Sequence, residues 1–195
     1  MAAPADRSET AGHSDGPTLD EMFAWLEQMP VPEGFKTEIV GGAVFVTQQR
    51  DTHWEIILDV IEQLRAKYPR KRVKSDVRID YPGHLNGFAS DVVALAEGAR
   101  KDEKGHWRPG GVELVAEVIS RGTARNDYGP KKDAFTAARV PVYLIVDPYT
   151  GTWHLHTLPK DGEYRGVLSL DFGDEVDLND TPVGLVLRTD EFPRD

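Results

Sequence analysis

The sequence predicts an α/β (α+β) fold: a mixed central sheet flanked by helices, with extra β-hairpins. Three observations carry this. Apolar residues recur at helical spacing in two early segments, whereas later segments alternate or run apolar over strand lengths. VYLIVD, residues 142–147, is a continuous apolar run of the kind buried at a sheet centre. Between the strand at Val112–Ile119 and VYLIVD lies a helical segment, a crossover that makes those two strands parallel.

Taken in order, residues 1–17 are small, polar and rich in Pro and Gly, the composition of a flexible tail, and 18–195 form one domain. Thr18 caps a helix to about Met29, with Glu21 at the capping-box position and Phe23, Trp25 and Leu26 as its apolar contacts; Pro30 and Pro32 stop it. KTEIV-GG-AVFVT reads as a β-hairpin turning at Gly41-Gly42. From Asp51 to Lys67, the residues Trp54, Ile57, Leu58, Ile61 and Leu64 mark an amphipathic helix. Strands are expected at Val73–Tyr81 and Gly87–Ala94, then a charged loop, then the strand Val112–Ile119. A helix at Asp127–Arg139 follows, with Asn126 or Asp127 as its cap and Pro130 in its first turn. After VYLIVD, a turn at Pro148–Gly151 leads to TWHLHTL and a β-rich end.

Composition narrows the function classes. At 195 residues, 39% hydrophobic and 29% charged, the chain has the make-up of a soluble globular protein. No apolar run reaches the length of a membrane helix. The N-terminus lacks a signal-peptide core, and with 0 cysteines there is no disulfide, thiolate metal site or thiol nucleophile. A cytoplasmic protein is expected. The net charge of −10 is unevenly spread: −9 over residues 1–64, +6 over 65–139 and −7 over 140–195. Within the basic third, Arg65, Lys67, Arg70, Lys71, Arg72, Lys74 and Arg78 form a dense run, which reads as a polyanion surface or as a solvated helix end and loop.

The same third holds the chemistry. Asp91 opens the apolar stretch FASDVVAL, and Glu117 interrupts VELVAEVIS. A carboxylate inside a buried strand is costly unless it is paired or holds a cation. Lys131 follows Glu117 by fourteen residues. Neighbouring strands carrying the two acids, with the lysine close by, make a site for a divalent metal and a phosphate. Mg²⁺ takes oxygen ligands and keeps several waters, so two carboxylates and a backbone carbonyl suffice. The metal would polarise a phosphoryl oxygen, and the lysine would stabilise the developing charge. Against this, either acid could face solvent or pair with an arginine.

The run VELVAEVISRGTARNDYGPKKDAFTAARVPVYLIVDP resembles the signature of the Uma-type restriction endonucleases, a bacterial group in the PD-(D/E)XK, restriction-endonuclease-like, nuclease superfamily. Glu117-Val118-Ile119-Ser120, Asp127, Lys131 and Val146-Asp147-Pro148 fall in its places. SDVV resembles the group's Pro-Asp-Val-Val, with Ser90 at the proline, and TEIVGGAVFV resembles its hairpin, with Glu38 before the turn. The resemblance implies a restriction-endonuclease-like fold and a Mg²⁺-dependent (or Mn²⁺-dependent) endonuclease acting on DNA. Asp91, Glu117 and the Val118 carbonyl would be the metal ligands, Lys131 the catalytic lysine, and Glu38 a supporting acid. The superfamily's usual lysine position is Ile119 here, so the lysine has moved to the following helix, with Lys132 in reserve. Nucleases of this fold often work as dimers, so a homodimer is a further expectation.

Other residues read more plainly. His53 fits a packing or surface histidine on its helix, with a place near the site as the alternative. His154 and His156 share one strand face, read as a solvent face rather than a ligand pair. Ser120 lacks a histidine base, Asp127 reads as a helix cap, and Asp147-Pro148 as a turn. The rival function is a catalytically inactive nuclease-fold module that binds nucleic acid or a protein partner. A structural, toxin–antitoxin-like partner protein is a third.

Overall fold

A computed structural model describes residues 16–30 and 34–195. Nearly all of the segment expected as a tail, and Pro32, lie outside them. Helix α1, Leu19–Gln28, opens on a complete capping box: Glu21 N–H donates to Thr18 Oγ1 at 3.3 Å and Thr18 N–H to Glu21 Oε2 at 2.8 Å. It buries Met22 and Leu26, while Trp25, expected as a contact, faces out. Strands β1 (Phe35–Val40) and β2 (Ala43–Gln48) form the expected hairpin through Gly41 and Gly42, at φ 59° and 81°. Helix α2, Asp51–Leu64, buries His53, Ile56, Ile57, Val60 and Leu64. Trp54 and Leu58 are exposed, because the helix has more apolar residues than its contact stripe can cover.

The two strands expected at 73–81 and 87–94 are each broken in two. The first divides into β3 (Val73–Lys74) and β4 (Ile79–Tyr81), the second into β5 (Asn86–Phe88) and β6 (Val92–Leu95). The halves lie in different sheets, β2-β1-β5-β4 and, with later strands, β10-β9-β8-β7-β6-β3. The chain therefore crosses between sheets at Ala89-Ser90-Asp91. Strand β7 (Val112–Val118) runs parallel to β8 (Val142–Asp147), as the crossover requires, through helix α3 (residues 124–137). Strands β9 (Thr152–Lys160) and β10 (Glu163–Asp171) form a long hairpin, and β11 (Val176–Asp177) pairs with β12 (Val186–Leu187).

Both faces of the central strands of the six-stranded sheet are covered, while the edge strand β10 is largely exposed. On one, Val92, Ala94, Leu114, Ala116, Leu144 and Val146 pack against Ile56, Ile57, Val60 and Leu64 of α2 and the C-terminal Val176, Leu187 and Phe192. On the other, Val93, Leu95, Val115, Tyr143 and Ile145 meet Phe135 of α3 and Val40, Ile79, Tyr81 and Phe88 of the smaller sheet. This explains why β8 is apolar at every position. Among the described residues no helix is long and apolar enough to cross a membrane.

Candidate functional site

Strand register brings Asp91 and Glu117 together. Val92 pairs with Ala116 and Val93 with Val115, so Asp91 comes opposite Glu117 on the face toward α3 and the smaller sheet. The strands tie the acids further: Val118 N–H donates to Asp91 Oδ2 at 2.8 Å, and Asp91 N–H to Glu117 Oε2 at 3.4 Å. Both side chains are buried. Glu38 reaches them from β1, anchored by Ala89 N–H at 3.0 Å, where the chain leaves the smaller sheet.

Lys131 arrives from α3, which comprises Ala124–Asn126, a widened π-turn at Asp127–Lys131, and Lys132–Ala137. Pro130 within the π-turn has no N–H to close a regular turn. Tyr143 Oη donates to the Asp127 carbonyl at 2.9 Å, satisfying it. The Lys131 ammonium lies 2.7 Å from Glu117 Oε1, 3.0 Å from Asp127 Oδ1 and 3.2 Å from Glu38 Oε2. Its three N–H donors thus face three carboxylates. Asp127, expected as a helix cap, is instead a buried partner of Lys131 one turn away; the helix starts earlier, at Ala124. Lys132 lies outside this cluster, on the side of His156.

Three residues not singled out as members of the cluster join it. Lys36, two residues before Glu38 on the same face of β1, sets its ammonium 2.6 Å from Asp91 Oδ1 and 3.7 Å from Glu117 Oε2. The signal for it was the alternation Lys-Thr-Glu, which turns both long side chains the same way. His53 is buried, and neither ring nitrogen has a hydrogen-bond partner; the Val118 carbonyl lies beside the ring without bonding geometry. Ser90 is buried next to Glu117, its hydroxyl without a well-formed bond, so the residue at the motif's proline position adds a polar atom to the site.

The electrostatics follow from burial and these partners. Burial alone would push the Glu117 carboxyl up, but the Lys131 and Lys36 ammoniums outweigh it and hold it at about 2. Burial raises Asp127 to about 7 against the pull of Lys131, and raises Glu38 against Lys131 and Lys36. Lys131 is disfavoured as a cation by burial, yet Asp127, Glu117 and Glu38 lift it well above its ordinary value. Lys36 is raised in the same way by Asp91, Glu38 and Glu117. Burial lowers His53, so its ring is neutral and able to offer a lone pair.

The donor set fits a divalent metal. Two ammoniums, Lys36 and Lys131, lie among four carboxyl groups, Glu38, Asp91, Glu117 and Asp127, a set with more acids than cations that a divalent ion would help to neutralise. The orphaned His53 nitrogens and Ser90 hydroxyl line or adjoin the same pocket. The free space within it is ≈ 20 Å³, on the scale of one water or one ion. A separate group, Asp20, Asp80 and His106, could also meet at a cation, but Arg78 and Lys104 already neutralise it.

The remaining candidates lie elsewhere or serve the fold. His156 is not on a solvent face; it is buried between Tyr143 and Tyr164, ring centroids 5.8 and 5.7 Å away, because the sheet is covered on both sides. His154 Nδ1 meets Ser169 Oγ at 2.7 Å. Ser120 lines the pocket and its carbonyl closes the turn before α3. Asp147 Oδ1 accepts from Tyr149 N–H at 3.0 Å, the expected turn. In the basic run, Arg72 bonds the Leu95 carbonyl at 2.7 Å and Arg78 pairs with Asp80 and Asp20. Arg65, Arg70, Lys71 and Lys74 line an open groove along the β3 edge.

A mixed central sheet flanked by helices, with extra β-hairpins, is the fold of a restriction-endonuclease-like nuclease. The chain belongs to the Uma2 family, described as "Putative restriction endonuclease", whose model matches residues 22–190. No curated protein matches the chain. Among solved structures it is similar to a putative nuclease of the DUF820 group from Anabaena variabilis, with a TM-score of 0.68 at 13% identity, covering 91% of this chain and 97% of that one. At that identity the likeness speaks for the fold alone. Nucleases of the restriction-endonuclease-like kind generally use divalent metals.

Proposed function

We propose that the protein is a Mg²⁺-dependent endonuclease that hydrolyses DNA phosphodiester bonds in the cytoplasm, with Mn²⁺ as an alternative ion. One observation carries the reading: Asp91, Glu117 and Lys131 converge from two adjacent strands and the crossover helix on one buried point. Asp91, Glu117 and the Val118 carbonyl would hold the ion, with the neutral His53 ring beside them. When bound, the ion supplies Lewis-acid polarisation of the phosphate and a more acidic water.

The chain's own groups do the rest. Lys131 stays protonated among its carboxylates, so it serves as a fixed positive charge for the phosphorane and not as a base. Glu38 and Asp127 hold that ammonium in place. Tight second contacts, Val118 N–H to Asp91 and Lys131 to Glu117, keep the carboxylates aimed with little loss of freedom. Arg65, Arg70, Lys71 and Lys74 would meet the phosphate backbone without reading sequence. A homodimer would bring two such sites to a duplex.

The test is cleavage of plasmid and single-stranded DNA with Mg²⁺, with and without chelator. Metal-dependent nicking supports the reading, and its absence on every substrate of a DNA and RNA panel overturns it. A second reading, an inactive nuclease-fold module that binds nucleic acid or a protein partner, is favoured by the Lys36 ammonium already bonded to Asp91. Calorimetry with Mn²⁺ separates the two, since an inactive module shows no metal heat.

A further inference from the structure

We infer that Lys36 is a built-in competitor for the metal, an ammonium that must leave the carboxylates before a divalent ion can bind. The inference rests on the metal-site reading above. Asp91 Oδ2 accepts from Val118 N–H at 2.8 Å, and Glu117 Oε1 lies 2.7 Å from the Lys131 ammonium, an ion pair without hydrogen-bond geometry. The other oxygens, Asp91 Oδ1 and Glu117 Oε2, are the ones left for an ion, the latter taking only a long 3.4 Å bond from Asp91 N–H. Those two oxygens are where Lys36 Nζ sits, at 2.6 and 3.7 Å.

Space sharpens the competition. With the Lys36 ammonium in place, the pocket keeps free space of only ≈ 20 Å³, room for about one water-sized species and not for an ion that keeps several waters. Charge works the same way: Lys36 neutralises the acids that the metal needs, and its side chain is only 9% exposed, so water screens the pair poorly. Lys36 has a flexible four-carbon stem, and it lies near the start of β1, away from the Ile39–Gly87 pair and the Gly41 and Gly42 N–H bonds that hold the hairpin to the smaller sheet. The ammonium can therefore swing out while Lys131, held by three carboxylates, stays.

The experiment is Mn²⁺ and Mg²⁺ binding by calorimetry to the parent, Lys36→Met and Lys36→Arg, each checked for fold by circular dichroism. Lys36→Met should bind metal more tightly by about tenfold or more, the scale of one partly buried ion pair. Lys36→Arg should bind no more tightly than the parent. Equal or weaker binding by folded Lys36→Met overturns the inference while leaving the metal site intact. Absence of binding in both parent and Lys36→Met overturns the metal-site reading itself. If Lys36→Met does not fold, the parent decides. With ¹⁵N-labelled lysine, saturating Mg²⁺ should shift or broaden the Lys36 ammonium signal and leave that of Lys131 in place. An unchanged Lys36 signal at saturation overturns the inference.

Discussion

Lys131 Nζ and Glu117 Oε1 lie 2.7 Å apart, both buried, on elements that meet only because β7 and β8 run parallel across α3. The pair does two things at once. It fixes the orientation of a carboxylate proposed to hold metal, and it seats an ammonium among Glu38, Glu117 and Asp127. Stability and chemistry are therefore coupled at this point, and variants of the pair separate the two.

Lys131→Met should destabilise the fold by about 3–5 kcal/mol, because it leaves buried carboxylates without their counter-charge. Asp127→Asn should cost within about 1 kcal/mol, since burial already holds that carboxyl near 7 and Asn resembles its protonated form. Urea unfolding of both variants at neutral pH checks the contrast. Equal losses would mean that Asp127 is a full partner of the ammonium.

His156 should give the protein an acid-side loss of stability. Burial between two tyrosines, with Lys132 and His154 nearby, lowers it to about 4. Its unfolded value is about 6.5, so between these values the unfolded chain binds more protons. The stability is fully present above the unfolded value and is lost as pH falls toward the folded one. His156→Phe keeps the aromatic stack and removes the titration. Melting curves from pH 7 to 4 should therefore fall less steeply for the variant, and parallel curves would count against the assignment.

Much of this was legible in the sequence, and the rest was not for definite reasons. Asp91 and Glu117 show because each sits within an apolar strand run, and Lys131 because it follows Glu117 by fourteen residues and falls in the place of the family pattern. Lys36 and His53 do not, since they join from β1 and α2 through contacts distant in sequence, 55 residues apart for Lys36 and Asp91. The strands at 73–81 and 87–94 read as continuous because periodicity does not register a crossing between sheets. His156 reads as solvent-facing only if one face of the sheet is bare. Asp127 reads as a cap because Asp before a helical run usually is one; the π-turn and the earlier start at Ala124 place it inside.

Gly87 should be sensitive to a single methyl. A Cβ there would clash with the Phe23 ring at Cε2, where α1 lies on the smaller sheet beside Glu38's strand. Gly87→Ala should cost about 1–3 kcal/mol by overpacking. Combined with Phe23→Ala, it should cost less than the sum of the two single changes, measured as a double-mutant cycle. Strict additivity would show that the ring simply moves aside.

Within the basic run, two neighbours should behave differently. Lys71 is exposed on the β3-edge groove, so Lys71→Ala should weaken DNA binding on all sequences and reduce the salt slope by about 1. Arg72 bonds the Leu95 carbonyl, pairs with Glu113 at 3.4 Å and stacks 4.7 Å from the Tyr68 ring. Arg72→Ala should chiefly lower the melting temperature. Fluorescence anisotropy against salt, with thermal melts alongside, distinguishes them.

The most direct measurement is plasmid cleavage by the parent and Glu117→Gln, with Mg²⁺ and then with chelator, on samples matched for fold by circular dichroism. The parent should nick DNA only with the metal, and folded Glu117→Gln should not nick it at all. Cleavage by Glu117→Gln at the parent's rate would contradict the assignment of this site.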